Sequence, residues 1–390
     1  MSRPAIHIPA RRDIRTILAD EELDGNGELW RRRLENVSSN DVEVALSQPA
    51  GSYSQQKLLA LISPAAEDYL EEMAQSAHRL TVRRFGRTVR LYAPLYLSNY
   101  CTNSCRYCGF NTEHGFERTR LSIDEAVEEA DIIASEGFRD ILLVSSEDRQ
   151  FVSIDYLAEL AKRLRGKFGS ISIEVYQMSR DEYARLFEAG IEGVTLYQET
   201  YDRRRYDYYH PAGPKSDYDN RLSAAATIAA AGMREVGLGV LLGLADWRVE
   251  TLALAEHAHY IIKRYWQSHV SFSFPRLRPA YEVEDSHFNS FGDKNLVQMI
   301  TALRLCFADA GIVLSTRERA QLRDNLIRLG VTRLSAGSKT SPGGYSGRIG
   351  ATGQFEVDDN RRAAQVAAMI TEQGFEPVWK DWDKAFLEND

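Results

Sequence analysis

The sequence predicts an α/β protein, a (β/α)8 barrel of the TIM type with an N-terminal helical extension and a C-terminal segment. From about residue 86 onward, eight short apolar or β-branched runs alternate with amphipathic helical patterns. Glycine follows several of the predicted helices, where it takes the left-handed conformation that ends a helix. A length of 390 residues with 44% hydrophobic content suits one large barrel with an extension. A doubly wound sheet gives a similar local pattern, but the count of eight favours the barrel.

Residues 1–85 are predicted to form a helical extension without chemistry of its own. Between Ser54 and Arg84, apolar residues recur with a spacing near 3.6, which is typical of one apolar helical stripe. Ser63 and Pro64 interrupt this stripe, and Pro64 suits the first turn of a new helix. We therefore expect helices here that pack on the main body.

The barrel is predicted to span residues 86–340, followed by a C-terminal segment, residues 341–390, that packs on it. The predicted strands are 89–97, 140–145, 171–176, 193–198, 236–243, 270–275, 312–315 and 332–336. The predicted helices are 122–136, 154–168, 179–189, 218–231, 248–266, 293–310 and 317–329. Four glycines are predicted to end helices: Gly137, Gly190, Gly232 and Gly311.

Composition excludes several classes of protein. No apolar run approaches the roughly 20 residues needed to cross a bilayer, and the first residues lack the apolar region of a secretory signal. The net charge is −8, and no basic stripe with interleaved aromatic residues indicates a nucleic-acid partner. Clustered cysteines without even pairing argue for a reducing compartment. We expect a cytoplasmic protein that binds neither nucleic acid nor a membrane.

Three of the four cysteines, Cys101, Cys105 and Cys108, fall within eight residues with the spacing C-x3-C-x2-C. Three thiolates on one loop can hold three corners of an iron–sulfur cube and leave the fourth iron open. One alternative is a structural zinc site with His114 as the fourth ligand, and another is chance. The rest of the chain supplies only Cys306, which argues against chance. The cysteine loop follows the first predicted strand, where a barrel places active-site residues, and this position argues against zinc.

The spacing, with the aromatic Tyr107 directly before the third cysteine, resembles the signature of the radical S-adenosylmethionine (SAM) enzymes. In that family a [4Fe-4S] cluster binds SAM at its open iron. The resemblance implies that Tyr107 is a cofactor-binding residue. It also implies that Ser145, Ser146 and Glu147, after the second predicted strand, contact the cofactor, with Glu147 on its ammonium group. A lone carboxylate at this position can instead cap the following helix.

The end of the fourth predicted strand carries Tyr197-Gln-Glu-Thr-Tyr201. A buried glutamate here needs partners, because an unpaired buried charge is costly. Glu199 is therefore interpreted as a ligand of the cofactor's ribose diol. The alternative is a structural ion pair with Arg203 or Arg204.

Later strand ends carry cations and hydroxyl groups. Arg276 and Arg278 follow the sixth predicted strand, Arg317 follows the seventh, and Ser335 lies in the eighth. Arginine binds a carboxylate with two parallel hydrogen bonds, which lysine cannot reproduce. Several arginines at one barrel mouth suggest an amino-acid substrate, although each alone can be a surface ion pair. We expect Arg317 to hold the substrate carboxylate and Ser335 to orient the amine, with Arg276 and Arg278 as alternatives or support.

Several stretches together resemble the aromatic amino-acid lyases among the radical SAM enzymes. They are Leu95-Tyr-Leu-Ser-Asn, Tyr197-Gln-Glu-Thr-Tyr, Ser273-Phe-Pro-Arg-Leu-Arg-Pro, Leu314-Ser-Thr-Arg-Glu and Ser338-Lys-Thr-Ser-Pro-Gly-Gly-Tyr. The closing stretch 377–383 resembles the end of the 2-iminoacetate synthases, the tyrosine lyases of bacterial thiamine biosynthesis. The related lyase that matures [FeFe]-hydrogenase carries extra C-terminal cysteines, and this chain has none after Cys306. Ser145 and Ser146 depart from the Thr-Gly common in the family, and Asp148 departs from its His.

The resemblance implies a tyrosine lyase that uses a [4Fe-4S] cluster and SAM. In this family a 5′-deoxyadenosyl radical takes hydrogen from the substrate amino group, the Cα–Cβ bond breaks, and p-cresol and 2-iminoacetate (dehydroglycine) result. The implied partners are L-tyrosine, thiazole synthase and an electron donor of the flavodoxin or ferredoxin type. Two other hypotheses stay open from the residues: a radical SAM lyase acting on tryptophan or a modified tyrosine, and a non-catalytic, metal-stapled binding module.

Overall fold

The structure is a computed structural model, and it describes residues 12–283, 288–348 and 350–379. Five helices precede the barrel: α1 (Ile14–Asp20), α2 (Glu28–Glu35), α3 (Ser39–Ser47), α4 (Gln55–Ile62) and α5 (Leu70–Phe85). Between α4 and α5, Ser63 caps a short 3-10 helix that begins at Pro64, so the chain breaks where the sequence predicted. Residues 1–11 and 380–383, on which the signal and C-terminal predictions partly rest, lie outside the described residues.

Eight parallel strands form a closed barrel. They are β1 (Thr88–Ser98), β2 (Asp140–Ser145), β3 (Ser170–Glu174), β4 (Gly193–Thr195), β5 (Glu235–Gly239), β6 (His269–Ser273), β7 (Gly311–Leu314) and β8 (Arg333–Ser335). Each strand pairs with the next in the chain, and β8 pairs with β1 to close the ring. The prediction of a (β/α)8 barrel is confirmed.

Helices cover the outside of the barrel. They are α6 (Ile123–Ser135), α7 (Ile154–Leu164), α8 (Arg180–Ala189), α9 (Arg203–Tyr209), α10 (Tyr218–Ala230), α11 (Trp247–Arg264), α12 (Asp293–Cys306), α13 (Ala320–Leu326) and α14 (Ala363–Glu372). Serine caps set several of the starts, as at Ser122 and Ser179, where a glutamate three residues later completes a capping box. Among the described residues, no helix is long and apolar enough to cross a membrane.

Several helix boundaries differ from the prediction. Gly137, Gly190 and Gly232 have positive φ angles after their helices, but Gly311 does not and instead begins β7. The helix before it, α12, ends earlier, at Cys306, and the Arg304 guanidinium donates to the carbonyl groups of the turn that follows. In the same way, α7 ends at Leu164 rather than at 168. Helix α13 spans only Ala320–Leu326, so Arg317 lies on a loop at the barrel mouth.

The C-terminal part adds a ninth strand, β9 (Glu376–Val378), which the sequence did not predict. This strand pairs with the beginning of β1, at Thr88–Arg90, on the side of the barrel opposite the cysteine loop. Before α14, the chain crosses the mouth of the barrel, where Gln354 and Phe355 line the same cavity as the cysteines. The segment after β8 therefore contributes to both ends of the barrel.

Candidate active site

A cavity of about 1020 Å³ opens at the C-terminal ends of the strands. It brings together most of the predicted site residues: Cys101, Cys105, Tyr107, Cys108, Ser145, Ser146, Glu147, Glu199, Arg278 and Arg317. A neighbouring cavity of about 520 Å³ is lined by Ser335 and Ser338. Arg317, Glu174, Tyr96 and Tyr197 line both cavities. Arg276 lines neither of the two.

The cysteine loop is fixed from two sides. On one side, the chain after α9 braces it: Ser104 N–H donates to the Ala212 carbonyl at 3.2 Å, and Lys215 N–H donates to Asn103 Oδ1 at 2.8 Å. Gly213 permits this contact, because a Cβ atom there would lie 2.6 Å from the Thr102 carbonyl oxygen. On the other side, Gln354 Nε2 lies 3.7 Å from Cys108 Sγ.

Arg118 forms hydrogen bonds to the backbone on both sides of the cysteine loop. Sequence reasoning did not identify this residue. Its guanidinium donates to the carbonyl groups of Asn99 at 2.7 Å and Phe110 at 2.8 Å, and to those of Asn111 and His114. One rigid side chain thus satisfies backbone acceptors that a tight loop leaves unpaired. The three cysteine side chains project from a loop whose backbone is already hydrogen-bonded.

The three cysteines form no disulfide, and their surroundings fit an iron–sulfur cluster. Burial raises the pKa of the Cys105 thiol to about 12 and also raises the pKa of Cys101. Coordination to a metal compensates for this effect, since it stabilises the thiolate. In the described part of the chain, no three His, Cys, Asp or Glu side chains converge on a point for a single metal ion. A cubane does not need such convergence, because each cysteine binds a different iron.

His114, the fourth ligand of the zinc alternative, has other contacts. Its Nδ1 atom lies 3.1 Å from the Gly109 carbonyl oxygen, and its ring packs edge-on against Tyr281. The ring therefore folds back on its own loop.

The residues after β2 line the cavity and also form hydrogen bonds with the cysteine loop and the residues just before it. The Glu147 carbonyl accepts from Thr102 N–H at 3.2 Å, and its carboxylate accepts from Asn103 Nδ2 at 3.2 Å. Ser146 Oγ donates to the carbonyl groups of Ser98 and Tyr100. The helix-cap alternative for Glu147 is wrong, because Ser153 caps α7.

Asp148, which departs from the family's histidine, is buried and holds the start of the cysteine loop. It accepts from Ser98 Oγ at 2.7 Å and from two nitrogens of Arg120 at 2.7 and 2.8 Å.

Glu199 forms a buried ion pair, but with neither arginine of the predicted alternative. Lys215 Nζ lies 2.6 Å from Glu199 Oε1, and Arg203 instead pairs with Asp24 and Asp219. Glu199 has a φ angle of 70°, which is uncommon for a residue other than glycine and is found most often at functional sites. The ion pair leaves one carboxylate oxygen of Glu199 available to a ligand.

Tyr107 lies beside this pair. Its hydroxyl group is 2.8 Å from His210 Nε2, and Lys215 Nζ lies 5.6 Å from the centre of its ring. Burial holds the pKa of His210 well below its usual value, so the imidazole is neutral. The cluster therefore combines the Glu199–Lys215 ion pair with the neutral imidazole of His210.

The four predicted substrate residues are not equivalent. Arg276 pairs with Glu318 and Asp293 at 2.9 Å each, and Arg278 pairs with Asp358. Arg317 forms no ion pair with any described residue; its guanidinium stacks 3.4 Å from the centre of the Phe355 ring. Ser335 is buried, and its hydroxyl accepts from Thr316 N–H at 3.1 Å. Of the three arginines, Arg317 is the one that lines both cavities and forms no ion pair with a described residue; one of its nitrogens donates to the Arg276 carbonyl at 3.4 Å.

Sequence reasoning also missed Glu174, the last residue of β3. It lines both cavities, and burial, together with the charge of Glu199, raises its pKa to about 7. The rule that barrel strand ends carry functional residues could have found it. It was missed because the run around it is mostly apolar and carries no motif.

Comparison with protein families gives two matches. Residues 95–255 match the radical SAM superfamily, and residues 273–376 match the biotin and thiamin synthesis associated domain. The first range contains the cysteine loop, Glu147, Glu174 and Glu199. The second contains Arg276, Arg278, Arg317 and Ser335.

The chain is also similar to whole proteins. It is 44% identical over 355 residues to 2-iminoacetate synthase of Salmonella typhimurium and 42% identical to that of Escherichia coli, which covers 90% of this chain and 93% of each relative. The crystal structure of HydG, a maturase of the [FeFe]-hydrogenase, superposes with a TM-score of 0.86 at 31% identity, covering 93% of this chain and 80% of that one. The chain therefore belongs to the 2-iminoacetate synthase family of radical SAM enzymes.

Proposed function

We propose that this enzyme cleaves the Cα–Cβ bond of L-tyrosine to give 2-iminoacetate and p-cresol for the thiazole of thiamine. The observation that carries the proposal is the 44% identity to 2-iminoacetate synthase over 90% of the chain. The cavity agrees with the proposal, because it is lined by three free cysteines and by Arg317, an arginine that forms no ion pair with a described residue. A non-catalytic binding module is not supported, since the family consists of enzymes.

Cys101, Cys105 and Cys108 would hold a [4Fe-4S] cluster, with Gln354 beside the third sulfur. When bound, the cluster and SAM supply an electron and a 5′-deoxyadenosyl radical. The contribution of this chain is to fix the loop through Arg118 and the residues after α9. A loop that is ordered beforehand loses little entropy when it binds the cluster.

Glu147, Ser145 and Ser146 would bind the ammonium end of SAM, since they lie next to the cysteine loop after β2. Glu199 would accept from the ribose hydroxyl groups through its remaining oxygen, while Lys215 binds the other. Tyr107 would pack beside the cofactor, held by His210. These contacts orient the cofactor without taking part in bond breaking.

Arg317 would bind the substrate carboxylate, and Ser335 would orient the amine. The stacking of Arg317 on Phe355 fixes the plane of the guanidinium, so a carboxylate can approach with two parallel hydrogen bonds. Arg276 is neutralised by two acidic side chains and would support the site only indirectly. Positional control of this kind acts on rate, because the reacting atoms must be held in line.

The proposal includes two partners. Thiazole synthase would take up 2-iminoacetate, and a flavodoxin or ferredoxin-type protein would donate electrons. The deciding experiment is anaerobic reconstitution with iron and sulfide, followed by identification of the products from SAM and tyrosine. We expect p-cresol, with glyoxylate from hydrolysis of 2-iminoacetate. Products from tryptophan and none from tyrosine would instead indicate a lyase for another aromatic amino acid.

A further inference from the structure

Glu174 is a carboxyl group that the proposed contacts do not use. It ends β3 at the mouth of the barrel, and its side chain is partly exposed to the two cavities. Within the described part of the chain, it makes no hydrogen bond or ion pair; only burial and more distant charges act on it. An unpaired carboxyl group in such a place is costly unless a ligand supplies its partner.

Its polar neighbours already have partners. The Tyr96 hydroxyl, beside it at the smaller cavity, donates to Gln354 Oε1 at 2.8 Å. Glu199 is held by Lys215. No rearrangement of these pairs is needed for Glu174 to receive a donor from the cavity.

Glu174 and Arg317 lie on opposite walls. In the ring of eight strands, β3 and β7 are four strands apart, which places them across the barrel from each other. Arg317 follows β7, and Glu174 ends β3. A small barrel is wide enough inside for side chains or one small ligand.

This arrangement fits the shape of tyrosine. If Arg317 holds the carboxylate, the amine on the same carbon stays near the β7 wall, beside Ser335. The aromatic ring then extends toward the β3 wall. The phenolic hydroxyl, at the far end of the substrate, is the donor that reaches Glu174.

We propose that Glu174 binds the phenolic hydroxyl of the substrate and takes its proton as the Cα–Cβ bond breaks. This inference rests on the proposed tyrosine lyase function. The phenolic O–H bond breaks, an O–H bond forms on the Glu174 carboxylate, and the electron pair stays on the phenolic oxygen. The transfer needs no oxidant or reductant. Loss of the proton stabilises the departing hydroxybenzyl fragment, because its ring is conjugated with that oxygen.

The charges around Glu174 suit this role. Glu199 raises the pKa of Glu174, whereas Arg317, Lys215 and Arg221 lower it, and the result is about 7. The phenols of Tyr92, Tyr96 and Tyr197 also lie near it, and burial raises their pKa values, so they stay neutral. The larger cavity that Glu174 lines is further lined by titratable groups on the neighbouring elements, which are Glu147, Tyr107, Tyr176, Arg278 and the three cysteines. A base with a pKa near neutrality can both accept and return a proton at the working pH.

The test compares Glu174→Gln with the parent enzyme on tyrosine and on ring-fluorinated tyrosines, whose phenols are more acidic. We expect Glu174→Gln to lower the rate of cresol formation from tyrosine by roughly 10²-fold, as for loss of a general base. The loss should shrink steadily as the phenol becomes more acidic, and the rise in rate with pH near 7 should disappear. Glu159→Gln, an exposed carboxylate on α7, serves as the control.

A binding measurement separates this role from a structural one. Glu174→Leu should remove the preference of the cluster-loaded protein for L-tyrosine over L-phenylalanine, as measured by calorimetry, with iron content and SAM affinity unchanged. Equal losses for all phenols, or a parent-like rate in Glu174→Gln, would overturn the proposal. A parent enzyme that forms no p-cresol would instead refute the proposed function itself.

Discussion

The two ends of the barrel differ in whether their charged side chains have partners: the mouth holds an ion pair, Glu199 with Lys215, but also two charged groups without one. At the end opposite the cysteine loop, Asp140 and Glu235 lie among Arg90 and Arg333, with Arg333 nitrogens 2.7 Å from Asp140 and 3.2 Å from Glu235. At the mouth, Glu174 and Arg317 form no ion pair with any described residue. Both ends also hold a cavity. The mouth differs in its two groups without an ion pair.

The pKa values report the same difference. Burial by itself would raise the pKa of Glu235, but Arg333 and Arg90 hold it at about 2. Glu174 is buried to a similar degree without such a partner, and its pKa is raised to about 7. Paired charges at one end stabilise the closed barrel, whereas the unpaired charges at the mouth leave donors and acceptors for a ligand. Active sites commonly retain such unfavourable groups.

The largest effect should come from the cysteine loop. Replacing Cys101, Cys105 or Cys108 by Ala should abolish p-cresol formation and reduce bound iron, because a cubane needs every ligand on this loop. Iron and sulfide analysis, with the absorbance of the reconstituted protein, measures the cluster. The matched control is Cys306→Ala: Cys306 is buried among apolar side chains on α12, so iron content should stay at the parent level. Parent-like turnover in any of the three loop variants would contradict this assignment.

The end of the barrel opposite the cysteine loop should show the largest change in stability. Asp140→Ala leaves two arginines without their shared acceptor, and breaking a buried pair costs about 3–5 kcal/mol. Glu174→Ala removes a carboxyl group without a partner and should not lower the free energy of unfolding, because burial of that group disfavours the folded state near neutral pH. Urea unfolding of both variants, prepared identically, measures the contrast. Similar losses in the two variants would show that the ends of the barrel do not differ as described.

How much of this was predictable from the sequence depends on how local each feature is. The strands and the cysteine motif were predictable, because periodicity and spacing are properties of short segments. The partners of charged residues were not. Glu199 pairs with Lys215 rather than Arg203 or Arg204, and this choice depends on how the chain after α9 folds against the cysteine loop.

The same reason explains the arginines. The sequence favoured Arg317 as the clamp but kept Arg276 and Arg278 as alternatives, since each follows a predicted strand. Only the packing of α12 and the β7 loop places Asp293 and Glu318 on Arg276 and leaves Arg317 against Phe355. Residue types at strand ends predicted a set of candidates, and pairing in the folded chain separates them.

That separation can be tested by comparing two lysine variants. Arg317→Lys keeps the charge but loses the two-pronged geometry, so tyrosine affinity should fall roughly ten- to a hundred-fold, as for one charge-assisted hydrogen bond. Arg276→Lys keeps an ion pair to Glu318 or Asp293 and should change tyrosine affinity much less. Calorimetry on the cluster-loaded proteins measures the affinity, and p-cresol formation should follow it. A larger loss in Arg276→Lys would make Arg276 the clamp.

The last expected contrast is in how stability depends on pH. The folded pKa of Glu174, about 7, lies above the ordinary value of 4.5, so between these values the folded state binds more protons than the unfolded state. Stability contributed by this group therefore falls as pH rises from about 4.5 to 7, and is constant above. Glu174→Gln removes that fall, and its advantage over the parent should grow through this window, by at most about 3 kcal/mol. Glu250 has a similarly raised pKa, but it is present in both proteins and cancels in the difference.

The variant Glu235→Gln should show the opposite pH dependence. Because the folded pKa of Glu235 is about 2, the stability that this group gives the parent is present above about pH 4.5 and is lost as pH falls toward 2. Urea midpoints of the three proteins across pH 3–8 measure both slopes. Parallel curves for Glu174→Gln and the parent would mean that water entering the cavity keeps Glu174 at an ordinary pKa.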